Sequence, residues 1–105
     1  MSELKPKTNQ DTKSAGKVLA VLDVLCRNFY HGYSPSELCK ETGFAPSDIT
    51  RYVSTLETAG FAERIQETGR IRPSHRFAQK CVQIMNALNA AKSSVDSSLD
   101  RITRG

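Results

Sequence analysis

Apolar side chains recur along this chain with two different periods, and the points where the period changes mark its elements. From Ser14 to about Phe29, the residues Val18, Leu22, Leu25 and Phe29 fall at helical spacing, with Leu19 and Cys26 widening the stripe. Ser14 is placed to cap this helix, and Gly32 within Tyr30-His31-Gly32-Tyr33 breaks it. Ser34-Pro35-Ser36-Glu37 is a start signal of the capping-box kind. The serine accepts from a first-turn amide, the proline lacks an amide proton that would go unpaired anyway, and the glutamate reaches back. Gly43 stops that second helix after Thr42, with Leu38, Cys39 and Phe44 on its buried side. A third helix opens at Ala45-Pro46-Ser47-Asp48, turns Ile49, Tyr52 or Val53, and Leu56 inward, and ends at Gly60. Two helices joined by so short a turn must cross steeply, which is the helix-turn-helix arrangement.

After Gly60 the period shortens. Phe61-Ala62-Glu63-Arg64-Ile65 alternates like a strand from Ala62 onward, and Gln66-Glu67-Thr68-Gly69-Arg70 supplies the glycine of a tight hairpin. Ile71-Arg72 begins the return strand before Pro73 ends it. A hairpin directly after the third helix is a wing. The stretch from about Ser74 to Arg104 has no internal proline or glycine and predicts one long helix. Along it Cys81, Leu88, Val95 and Ile102 recur at a strict seven-residue interval, with Ile84, Ala91, Met85 and Leu99 in the intervening rows. That repeat predicts pairing of two copies through Cys81, Ile84, Leu88, Ala91, Val95, Leu99 and Ile102, although Lys92 and Ser98 interrupt the stripe. The other arrangement for such a stripe is a single amphipathic helix folded back on its own domain. The expected fold is thus mostly α: a winged helix-turn-helix of three helices and a β-hairpin over residues 14–74, followed by a C-terminal amphipathic helix over 75–105. Residues 1–13 carry Pro6 and five charges with almost no apolar side chain, and are expected to form a disordered basic tail.

Composition narrows the function. A chain of 105 residues with no tryptophan can build one compact core but no second, substrate-binding domain. Its net charge of +4 favours a polyanionic partner. No apolar run approaches the roughly 20 residues of a membrane span, and the polar, lysine-bearing start predicts a cytoplasmic protein. Cys26, Cys39 and Cys81 form no CxxC pair, and with His31 and His75 alone beside them a metal site is not expected. They read as reduced, small apolar residues on helix faces. There is no glycine-rich phosphate loop and no nucleophile–base pattern, so neither an enzyme nor a cofactor is expected.

A helix fits the major groove of DNA. The outward positions of the third helix, residues 46–59, are Ser47, Asp48, Thr50, Arg51, Ser54 and Thr55, short polar groups plus one arginine. Arg51 is the first candidate for a base or phosphate contact; its plain alternative is a surface arginine paired with an acid such as Glu57. Pro46 and Ser47 place the positive end of the helix near a phosphate. From Arg64 to Lys80 the basic residues Arg64, Arg70, Arg72, Arg76 and Lys80, with His75, face only Glu67. Contact of the wing with phosphates or the minor groove accounts for that imbalance. Tyr30, His31 and Tyr33 are read as packing or phosphate-contacting groups, and Lys5, Lys7 and Lys13 as solubilising or, alternatively, as adding weak electrostatic contacts.

Three segments in this order, AGKVLAVLDVL, SPSELCKETGFAPSDITRYVSTLETAGFAER and ETGRIRPS, resemble the N-terminal DNA-binding domain of the IclR family of bacterial transcription regulators. The resemblance runs from about Ser14 to Ala78 and implies sequence-specific binding of double-stranded DNA. The homodimer is a separate expectation, from the seven-residue stripe of the last helix. Family members usually continue into a large effector-binding domain, whereas this sequence continues into one helix, so no small-molecule effector is expected. Asp48 stands where the family often has an uncharged residue, and a carboxylate there faces phosphates unfavourably unless it accepts from a cytosine amino group. The competing expectations are a winged domain that binds another protein and an architectural DNA-binding protein without sequence preference.

Overall fold

The computed structural model describes residues 12–104, so the tail expected over 1–13 lies, up to residue 11, outside the described residues. Four helices and one hairpin follow in the order α1 (Lys13–Leu25), α2 (Pro35–Thr42), α3 (Pro46–Ala59), β1 (Ala62–Arg64), β2 (Ile71–Pro73) and α4 (His75–Arg104). The fold is a winged helix, mostly helical, with a long C-terminal helix. The chain divides into two compact units, one up to Ser74 and the other from His75 onward.

The first unit is built around α1, which packs on both α2 and α3. Its core comprises Val21, Val24, Leu25, Leu38, Ile49, Tyr52, Val53, Leu56, Ala62 and Ile71, with Val18, Leu22, Tyr33, Cys39 and Phe44 packed around it. Both Tyr52 and Val53 point inward, rather than one of the two. The ends of α2 and α3 form where their caps predict. Ser34 Oγ accepts from the Glu37 amide at 3.1 Å and Glu37 Oε1 accepts from the Ser34 amide at 3.0 Å, closing the capping box. Gly43 and Gly60 close the two helices in left-handed conformation.

The first helix departs from expectation. It begins at Lys13 behind Thr12, whose side chain makes no cap bond, so Ser14 lies inside the helix. It ends at Leu25, four residues before Phe29, because the chain tightens there: the amides of Arg27 and Asn28 bond to the carbonyls of Val24 and Leu25. Its buried face is also rotated toward Val21, Val24 and Leu25, leaving Leu19 and Cys26 exposed. An apolar stripe wider than the contact it makes does not fix which edge is buried.

The hairpin is antiparallel, with Ala62, Glu63 and Arg64 opposite Pro73, Arg72 and Ile71. Pro73 is thus the last residue of β2 rather than the one beyond it. Tyr33 adds a one-residue bridge to the other edge of β2, its amide and carbonyl each bonded to Ile71 at 2.8 Å. That bridge anchors the loop before α2 to the base of the wing. At the far end, Ser74 is buried, its hydroxyl donating to the Gly60 carbonyl at 2.7 Å. The second unit is α4 alone, a single helix of 30 residues with no buried side chain.

Candidate nucleic-acid interface

α3 is held from behind by Ile49, Tyr52, Val53 and Leu56, and those four anchors decide which side chains face outward. Pro46, Ser47, Thr50, Arg51, Ser54 and Thr55 are exposed, and Asp48 is half-buried. Thr58 is exposed on the same row as Ser47, Arg51 and Ser54, and the helical period alone places it there. The hydroxyls of Thr50 and Thr55 donate to the carbonyls of Pro46 and Arg51, one turn earlier. Their oxygens retain acceptor capacity toward a ligand. The exposed face is short, polar and free of large side chains other than Arg51.

Arg51 does pair with a neighbouring acid, as its alternative reading allowed, but with Asp48 rather than Glu57. Its Nη2 donates to Asp48 Oδ1 at 2.7 Å, while Glu57 pairs with Arg64 at 3.7 Å. The guanidinium carbon also lies 5.0 Å from the centre of the Tyr52 ring. The hydrogen bond to Asp48 pushes the Arg51 pKa further above its ordinary value. Asp48 therefore does not present a bare carboxylate at the head of α3.

Behind Arg51 runs an aromatic ladder: Tyr52 meets Phe44 edge-on at 5.8 Å, and the Lys17 ammonium lies 5.7 Å from the Phe44 ring. Lys17 is a cation that sequence reasoning did not bring to this face. It arrives from α1 by tertiary packing, and no local signal marks it.

The wing arginines are committed within the fold. Arg70 donates from Nε to the His31 carbonyl at 3.1 Å, and from Nη2 to the Gly32 carbonyl at 3.0 Å and to Glu37 Oε1 at 2.6 Å. Arg72 donates to Glu63 Oε2 at 3.0 Å, and its guanidinium lies 5.5 Å from the Phe29 ring. Arg64 donates to the Gly69 carbonyl at 3.3 Å and remains the most exposed of the three. The excess of positive charge between Arg64 and Lys80, a stretch whose one acid is Glu67, is matched in space by Glu37, Glu57 and Glu63 from outside it. Glu37 is drawn below the ordinary carboxylate range, chiefly by the Ser34 amide it accepts from and further by Arg70.

The loop ahead of the wing presents Tyr30 and His31 outward, their rings edge-to-face at 5.0 Å, whereas Tyr33 is half-buried against the core. Arg76 belongs to α4, where it is exposed. Along that helix Cys81, Ile84, Leu88, Ala91, Val95, Leu99 and Ile102 are all exposed, as are Val82 and Met85. Lys92, which interrupts the stripe, pairs with Asp96 one turn on, at 3.1 Å. Cys39 packs against the core as a small apolar residue, while Cys26 and Cys81 are exposed. Among the described residues, no helix is long and apolar enough to cross a membrane.

No protein-family model and no curated protein matches the chain. Among solved structures it is similar to the crystal structure of Pseudomonas aeruginosa HmgR, with a TM-score of 0.66 and 22% sequence identity over 78% of this chain and 33% of that one. The chain thus spans about a third of HmgR, and the likeness is one of fold.

Proposed function

We propose that this chain is a small cytoplasmic transcription regulator that binds double-stranded DNA sequence-specifically as a homodimer. α3 enters the major groove and the wing lies on the backbone or in the minor groove. The observation that carries this reading is the outward face of α3. It exposes short hydroxyls and one arginine held by Asp48, with no large apolar side chain, on the helix that follows the turn. HmgR, which shares the fold, is an IclR-family regulator, and its likeness supports the same role for the winged unit here.

In this reading the winged unit, up to Ser74, contacts DNA and α4 (His75–Arg104) pairs two copies. Pro46 and Ser47 bring the head of α3 to a phosphate, while Asp48, Thr50, Arg51, Ser54 and Thr55 face the base edges. Arg64 and Arg76 contact phosphates; Arg70 and Arg72 hold the wing in place and lend it charge. Control comes from the amount of protein or from a partner, with no small-molecule effector, cofactor or catalytic step.

The test is selection of bound duplexes from a random DNA pool at about physiological salt. A recovered motif of two related half-sites is the expected result. Retained DNA without enrichment would make the protein an architectural binder, and no retained DNA would overturn the reading in favour of a protein partner.

A further inference from the structure

The pair at the head of α3 assigns a preferred base to this face, an inference that rests on the DNA-binding reading above. We propose that Asp48 is a positioning residue that presets Arg51 to read guanine. Two contacts restrain the Arg51 side chain. Its Nη2 is held by Asp48 Oδ1 at 2.7 Å, and its guanidinium plane is backed by Tyr52 at 5.0 Å. Tyr52 cannot yield, because it is buried and braced edge-on by Phe44. The Arg51 side chain is nonetheless 61% exposed, so the pair with Asp48 does not bury it.

A guanidinium carries five N–H donors in a fixed plane, and Asp48 accepts from one nitrogen. The donors left over suit a base that offers two acceptors side by side in the major groove. Guanine does so through N7 and O6; adenine pairs an acceptor with a donor, thymine offers one acceptor beside a methyl, and cytosine a donor. The arrangement also gives the carboxylate at the head of the reading helix a purpose. Alone it would repel phosphates; paired, its charge is offset and its geometry is used. An exposed ion pair contributes little to stability, so Asp48 can be changed with the fold intact.

The experiment is duplex selection, followed by competition binding, with the wild-type chain and its Asp48→Ala, Asp48→Asn and Arg51→Ala variants. Thermal melting establishes that each variant is folded. The wild-type motif is expected to contain a guanine in each half-site whose replacement costs about tenfold or more. Arg51→Ala erases the preference at that position alone. Asp48→Ala reduces it several-fold while binding to random duplex stays equal or strengthens, and Asp48→Asn, which keeps an acceptor, falls between. The proposal is overturned if no position of the wild-type motif depends on Arg51, if Asp48→Ala keeps the full preference for guanine, or if it weakens all duplexes alike. A wild-type chain that retains no DNA overturns the underlying reading as well, a result distinct from the other three because they all leave binding in place.

Discussion

Gly32 shows how much one position can decide. Its φ is +71°, and a Cβ built there would stand 2.5 Å from the Ile71 carbonyl oxygen, on the strand that Tyr33 bridges. An alanine would meet both left-handed strain and a backbone atom that cannot move without opening the wing. Gly32→Ala is expected to cost about 2 kcal/mol or more, lowering Tm by roughly 10 °C. Gly43→Ala is its control: φ is +77° there too, but no atom lies within 4 Å of the added carbon, so only the strain of about 1 kcal/mol remains. Equal losses in thermal melts of the two variants would show that the approach to Ile71 does not matter.

Glu37 concentrates a different kind of constraint, since one carboxylate caps α2 and holds Arg70. Its folded pKa lies below the ordinary value, so the folded state binds this proton less readily than the unfolded chain. The stability it contributes is therefore fully present above the unfolded value of about 4.3, and is lost as pH falls through the lower folded value. Glu37→Gln should lower Tm at neutral pH and flatten the further loss between about pH 5 and 3. If both proteins lose Tm in parallel on acidification, Glu37 is not the linked group.

At the scale of elements, what could be read from the sequence follows where the physical signal is local. α2 and α3 were legible to the residue because Ser34, Pro35, Glu37, Gly43, Pro46 and Gly60 act on backbone groups a few residues away. α1 lacks such punctuation: Thr12 makes no cap bond and the C-cap residue, Cys26, is right-handed, so neither its ends nor its buried edge follows from the sequence. On the candidate face, the helical period placed Ser47, Thr50, Arg51, Ser54 and Thr55 outward, and the same period carries the row on to Thr58, which the sequence reading leaves out. The partners of the arginines were not legible. Arg70 meets a glutamate 33 positions earlier, and only the packed wing brings the two together.

That difference separates two groups of arginines in the wing. Arg70→Ala is expected to reduce stability by about 1–2 kcal/mol and to weaken all duplexes through a loosened wing. Arg64→Ala should leave Tm nearly unchanged and reduce the slope of log K against log salt by about one. Melting curves together with binding at several salt concentrations distinguish the two. A reduced slope with no change of Tm for Arg70→Ala would reassign that residue to a phosphate.

The molecule as a whole turns on what α4 does. A helix of 30 residues is about 45 Å long, and this one exposes Ile84, Leu88, Val95, Leu99 and Ile102 by 57–74% each. Burying a large aliphatic side chain is worth about 1.5–3 kcal/mol. Five from each of two copies are worth about 15–30 kcal/mol if fully buried, against an association cost of about 4–15 kcal/mol. The seam is therefore large enough to supply the roughly 8 kcal/mol of a micromolar dimer. Leu88 sits mid-stripe, and Leu88→Asp would set two carboxylates into the seam while leaving the winged unit untouched. Light scattering should give twice the chain mass for the wild type and the chain mass for the variant. Because pairing makes the second half-site contact intramolecular, the variant should bind the same half-site but lose about a hundredfold or more on the full site. In a parallel, in-register pair Cys81 meets its own copy, so mild oxidation should yield a covalent dimer; in an antiparallel pair it should not. A wild-type chain that stays monomeric at micromolar concentration would remove the seam, and paired half-sites would then have to come from protein–protein contact elsewhere on the winged unit.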